Sequence, residues 1–289
     1  MKFKLPLSFL LFLSFWFVKA QDSNIQIYTP SKLMQSGQWD IKWFNNLYTE
    51  TLSIDENNTT LNSPRKNFFT SSLDVFTGLN TNAVWNVGVH IEYRSNTING
   101  LNLLAPFAFK DRPEQRMGLT RIAPAIKVAP FSNLTNFSIQ SSFSFPLFDE
   151  DEKDTQGVFL DQKSFIWQNK AFYDYSSSNG NFQVFTELNT EYNFGETEAS
   201  FANDSLRLSP GIFLSYFPNQ NFTVLGLIQH SSLIAINNNF SQNYTAIGAG
   251  LKYQISRTLN IETIYTNFIR GNSTGLGETL NLGLRAVIN

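Results

Sequence analysis

The sequence predicts an all-β protein, an antiparallel up-and-down transmembrane β-barrel of about twelve strands. Three observations point there. Apolar and polar residues alternate with period two, the alternating runs are long, and the connections between them are tight and extended in turn. The stretch GNFQVFTELNTEYNFG, Gly180 to Gly195, shows the first of these. Phe182, Val184, Thr186, Leu188, Thr190, Tyr192 and Phe194 hold one parity, and Gln183, Glu187, Asn189, Glu191 and Asn193 fill most of the other. Successive side chains of a strand point to opposite faces, so one face is apolar and the other polar.

Composition narrows the function classes. A chain of 289 residues with 42% hydrophobic and 15% charged residues is built to fold. Its 21 basic and 23 acidic residues leave a net charge of -2, which gives no electrostatic footprint for nucleic acid. There are no cysteines, which removes disulfides, thiolate nucleophiles, Cys-ligated zinc and a lipoprotein anchor together. With only His90 and His230 as imidazoles, a His-rich metal site is not expected, and no cofactor is.

Taken in order, the chain opens with a signal peptide over residues 1–20. Lys2 and Lys4 supply the positive start, Leu5 to Val18 the apolar run, and Val18-Lys19-Ala20 the cleavage context before Gln21. The apolar run is shorter than the roughly 20 residues of a spanning helix. Residues 21–36 then form a periplasmic N-terminal segment, and residues 37–289 the barrel. Period-two alternation places strands at 37–51, 66–79, 83–94, 118–129, 134–147, 164–175, 181–194, 205–217, 221–233, 243–254, 258–269 and 277–288. Most run about 12 to 15 residues, whereas globular strands average about 5–6 and membrane-crossing strands need about 9–11. Pro124 and Pro210 fall inside two of them, where each removes a ladder donor or marks a bulge.

The connections carry the topology. Tight ones lie at 80–82, 130–133, 176–180, 218–220 and 256–257, and longer ones at 52–65, 95–117, 148–163, 195–204, 234–242 and 271–276. An even-stranded barrel with periplasmic termini predicts this alternation, and a Greek-key sandwich does not. Phe182 and Tyr192, ten residues apart on the apolar face, span about 25 Å of membrane height at the usual rise and tilt. Trp85 and Tyr93, Phe137 and Phe145, Trp167 and Tyr173, and Tyr216 mark similar rib ends. A lipid-facing belt also houses 28 Phe residues more easily than one soluble core does.

The polar parity is then the lumen. Its expected bases are Lys42, Arg94, Arg121, Lys127, Lys170, Arg207, Lys252 and Arg285, and its acids Asp40, Glu50, Asp74, Glu92, Asp174, Glu187, Glu191 and Glu262. The two signs balance, so no uncompensated ring of charge marks an ion filter. Charges in so narrow a lumen should pair or stay hydrated. The turn at 176–180 would set Lys170 opposite Glu187, and Glu191 is a partner for Arg207. Phe44, Phe172, Phe185 and Phe213 also point inward, as solute contacts or as packing that plugs the barrel. The apolar loop at 95–117, with Leu101 to Phe109, either folds inward as a constriction or lies against lipid.

The leader ending in Lys-Ala-Gln, the Phe- and Asn-rich composition and the twelve-strand pattern resemble outer-membrane proteins of Bacteroidetes-type bacteria. The segment GLTRIAPAIKVAPFSNLTNFSIQSSFSFPL, Gly118 to Leu147, is similar to an outer-membrane transporter family associated with phenol meta-pathway gene clusters. The resemblance implies a narrow channel or facilitator for small, amphipathic solutes in the outer membrane. Membrane lipid and the outer-membrane assembly machinery are the expected partners.

Two other function classes stay open. One is a lipid-modifying enzyme, for which His230 beside Ser231 and Ser232 offers a base and hydroxyls. Adjacent strand residues face opposite ways, so His230 and Ser231 form no dyad by adjacency, and no catalytic residue is assigned. The other is a plugged barrel that serves as a scaffold or partner-binding surface. The Gly-rich 271–277 run precedes a strand where a phosphate cradle requires a helix, and reads as loop. The acidic run Asp149 to Glu152 reads as a solvated loop.

Overall fold

The computed structural model describes residues 29–148, 157–195, 204–237 and 240–289. The leader and the acidic run at 149–152 lie outside the described residues. Twelve long strands are present in the predicted order: β1 (Trp39–Ile54), β2 (Thr60–Gly78), β3 (Trp85–Thr97), β4 (Gln115–Val128), β5 (Phe137–Pro146), β6 (Ile166–Ser176), β7 (Phe182–Asn193), β8 (Ser205–Asn219), β9 (Phe222–Ala235), β10 (Gln242–Gln254), β11 (Leu259–Asn272) and, after the two-residue β12 (Thr274–Gly275), β13 (Glu278–Ile288). Each long strand pairs antiparallel with the next, and β13 pairs back onto β1 from Trp39↔Ile288 to Thr49↔Glu278. The sheet is closed, which leaves no unpaired edge.

The alternation seen in the sequence sorts the two faces of the wall. On β7, Phe182 and Leu188 are each 45% exposed, whereas Gln183 is 5% and Phe185 8% exposed. The outer surface is a band of large apolar side chains, including Trp43, Trp85, Phe145, Ile212, Tyr216 and Leu251. Two of its tryptophans satisfy their indole N–H within the band. Trp43 Nε1 donates to Ser71 Oγ at 2.8 Å and Trp167 Nε1 to Ser141 Oγ at 3.0 Å, each across a strand pair. In hydrocarbon, where no water can accept, such serines remove the cost of a bare donor.

The prolines interrupt the ladder without shifting it. The β4–β5 pairing stops at Ile122↔Phe145 and resumes at Ala125↔Ser142, and the β8–β9 pairing stops at Leu208↔Ser232 and resumes at Gly211↔Gln229. A true bulge falls elsewhere, where Glu92 pairs Arg121 but Tyr93 pairs Leu119. The extra residue, Thr120, donates to Glu92 Oε1 at 3.0 Å, so Thr120 and Arg121 both turn inward.

Several expectations are corrected. β1 and β2 continue to Ile54 and Thr60, so the first outer connection is only 55–59, whereas the turn-end connection 129–136 is longer than expected. Length alone therefore does not mark the two ends of this barrel. The β6–β7 hairpin turns at 177–181, which sets Lys170 opposite Asn189 and Glu187 opposite Phe172. That two-residue difference preserves the faces but removes the Lys170–Glu187 pairing. Residues 29–36 of the N-terminal segment are folded into the turn-end mouth.

Candidate functional site: the barrel lumen

The turn end is closed by residues 29–38. Met34 N donates to Asn86 Oδ1 and Met34 O accepts from Asn86 Nδ2, both at 2.8 Å, as a strand residue would. Lys127 Nζ donates to the carbonyls of Pro30 and Lys32, and Ser31 Oγ to the Asp174 carboxylate. Ser36 forms a parallel bridge with Gly78, and a side chain at Gly78 would run into the backbone of Met34 and Gln35. Leu33 and Met34 are buried at 4% and 1% exposure. Apolar side chains and matched backbone groups together seat this segment inside the wall.

Beyond the plug lies an inner chamber of about 340 Å³ and, toward the loop end, an outer chamber of about 810 Å³. Phe44, Glu187, Phe213 and Ile264 line both and mark the waist. An aromatic wall crosses the inner chamber from β6 to β8, with Phe172 and Phe185 centroids 5.9 Å apart and Phe185 and Phe213 5.1 Å apart. The outer chamber has its own cluster, in which Tyr48 and Tyr244 pack on Phe268 at 5.0 and 4.3 Å.

The predicted lumen charges form pairs across strands. Lys42 and Lys252 share Glu262 at 3.2 and 3.1 Å, and Arg285 holds Asp40 through two bonds of 2.8 and 2.7 Å. Arg207 approaches Glu191 at 3.5 Å, as expected. Asp74 meets His90 Nδ1 at 2.7 Å while Gln140 meets His90 Nε2 at 3.1 Å, so both ring nitrogens are engaged. Glu50 pairs with Lys66, a lumen base on the parity of Asp74 that the predicted charge set left out. Lys170 and Glu187 face the inner chamber and form no ion pair among the described residues.

The balance of the whole lumen does not hold chamber by chamber. The inner chamber has six bases (Lys32, Lys42, Lys127, Lys170, Lys252, Arg285) against four acids (Asp40, Asp74, Glu187, Glu262), a surplus of two with His90 counted neutral. The outer chamber has Lys66 and Arg94 against Glu50 and Glu187, with no surplus.

The loop end is narrowed by a segment that sequence reasoning did not single out. Residues 157–164 fold inward, and Asp161 takes Arg121 Nε at 2.6 Å and Arg94 Nη1 at 2.9 Å. Arg94 also holds Glu92 at 2.7 Å, while Arg121 donates to the carbonyls of Gln162 and Ser164. Asn96 Nδ2 donates to Phe159 O and Leu160 O at 2.8 and 2.9 Å. The signal for it was a lone acid among Phe159, Leu160 and Phe165, a charge that needs a buried partner.

The apolar loop at 98–114 resolves the other way. It lies on the outer face of β2 and β3, where its 3-10 turn Ala105–Ala108 sets Phe107 edge-on against Phe69 at 4.7 Å. Asn67 donates to the carbonyls of Leu101 and Asn102, and Ser95 Oγ to Pro106 O at 2.8 Å. Leu104, Phe107 and Phe109 stay 65%, 41% and 50% exposed. His230 is likewise outside, on Thr245 Oγ1 at 2.9 Å, while Ser231 faces the lumen on Ser209.

The sequence matches no protein-family model and no curated protein. The fold does have solved counterparts. The crystal structure of an outer membrane channel from Pseudomonas putida F1 is similar at TM-score 0.73 and 8% identity, covering 90% of this chain and 99% of that one. The beta domain of the Bordetella autotransporter Brka is similar at TM-score 0.55 and 10% identity, covering 86% of this chain and 99% of that one. Identities this low carry the fold alone. The chain is a closed twelve-stranded antiparallel barrel of the outer-membrane kind.

Proposed function

We propose that the protein is an outer-membrane channel or facilitator for small solutes with apolar character, exported by the 1–20 leader. One observation carries this reading. The lumen is not a packed core but two chambers between folded-in segments, lined by paired charges and aromatic rings. A scaffold needs no such space. The likeness to an outer membrane channel and the resemblance of the 118–147 segment to a transporter family support it.

In this reading residues 29–38 sit at the periplasmic mouth and must shift for passage, and 157–164 narrow the opposite entrance. Single-channel recording of the purified chain in planar bilayers tests it. Discrete conductance is expected, small in the native chain and larger in Gly78→Val, whose side chain would collide with Met34 and Gln35. Silence in both, with the barrel intact by heat-dependent gel mobility, would favour a plugged scaffold.

A further inference from the structure

We infer that the inner chamber is a binding site for a small carboxylate with a flat apolar body. The inference deepens the channel reading, on which its role in transport rests, by naming the class of solute the lumen takes.

Two observations converge on this class. The first is charge. In a site largely removed from bulk water, a surplus of two cations attracts an anion more strongly than the same charges would at a surface. The surplus has identifiable sources. Lys42 and Lys252 share a single carboxylate, the hydrogen bonds of Lys127 go to the carbonyls of Pro30 and Lys32, and Lys170 faces the chamber with no hydrogen bond or ion pair among the described residues. A carboxylate entering near Lys170 supplies the acceptor that the wall lacks.

The second is the apolar surface beside those ammonium groups. Lys127 Nζ lies 5.1 Å from the Phe172 ring centroid and Lys42 Nζ 4.9 Å from that of Phe44. Phe172 is two residues from Lys170 on the same face of β6 and begins the ring series that continues through Phe185 to Phe213 at the waist. A flat body can lie along these rings while its charged end remains at the bases. A cationic solute would meet the same rings but also the surplus positive charge. A neutral one would gain the rings and leave Lys170 unmatched. The outer chamber has rings without a surplus, so the preference belongs to the inner chamber.

The test measures binding apart from passage. Full-length protein in detergent micelles is titrated calorimetrically with benzoate, benzyl alcohol and benzylammonium, with protein-free micelles as the blank. Benzoate is expected to bind about tenfold more tightly than benzyl alcohol, the size of one charge-assisted hydrogen bond, and benzylammonium more weakly than either. Lys170→Gln should lower benzoate affinity about tenfold and leave benzyl alcohol unchanged. Lys252→Gln, which reduces the surplus but leaves Lys42 on Glu262, should lower it less and decides the matter if Lys170→Gln does not fold. Equal affinity for benzoate and benzyl alcohol, no benzoate binding, or benzoate affinity unchanged in these variants would overturn the site. Selective binding without bilayer conductance would overturn the channel reading and leave the site standing.

Discussion

Two loop-end segments, 98–114 and 157–164, leave the barrel rim in opposite directions, and their composition alone decides neither course. The first carries Leu101, Leu103, Leu104, Phe107 and Phe109, yet it lies outside. The second contains Asp161, yet it is buried in the lumen. What separates them is where their polar groups can be matched. The outward face of β2 and β3 ends in Asn67, Ser95 and Thr97, all nearly fully buried beside the 98–114 loop. These side chains require acceptors that lipid lacks, and the carbonyls of Leu101, Asn102 and Pro106 provide them. Of the loop's large apolar side chains, Phe107 packs on Phe69, whereas Leu104 and Phe109 stay largely exposed. Asp161 requires cations, and Arg94 and Arg121 offer them only inside. Polar matching, and not hydrophobicity, sends each segment to its place.

The largest expected effect tests the inward half of this contrast. Asp161→Ala leaves Arg94 and Arg121 facing each other without their shared carboxylate, a loss of about 3–5 kcal/mol for a buried pair. The heat-modifiability midpoint should fall and single-channel conductance should rise as 157–164 leaves its seat. If neither changes, the clamp does not hold the segment. Asn67→Ala tests the outward half. It removes the donor to two loop carbonyls and the partner of Thr49 and Thr97, worth about 1–3 kcal/mol for a buried group left unmatched. Limited proteolysis of reconstituted protein should then cut within 98–114, with conductance unchanged. A conductance change would mean that this loop also reaches the lumen. The smallest effect is Phe107→Ala, about 1 kcal/mol for one aromatic pair, which should raise cleavage slightly and leave the polar seat in place.

The strands were legible because their cause is local. Alternation along each run reports the two solvents on either side of the wall, so all twelve strands and the inward faces of Lys42, Asp74, Lys127, Glu191 and Arg285 follow from parity. Register was less legible. The Lys170–Glu187 pairing failed because one residue at each side of the 177–181 turn slides the hairpin by two, a shift that parity cannot detect. The plug and the Asp161 clamp were hidden for a different reason. Each depends on contacts between residues far apart in sequence, such as Ser31 with Asp174, and local pattern carries no record of them. The segregation of charge was hidden too, since a list balanced in total does not show which members share a chamber.

The seam between β1 and β13 also orders events in time. It joins the first long strand to the last, so the wall cannot be sealed until the final strand has been made and brought alongside Trp39 to Thr49. Residues 29–38 directly precede that first strand. While the seam is open the nascent wall has a lateral entrance, and these residues can settle against Asn86, Lys127 and Asp174 from the side. Once β13 docks, the mouth is their only route. Sealing therefore separates an early, easy seating of the segment from a late, constrained one, and the last strand to join sets which of them the finished molecule inherits.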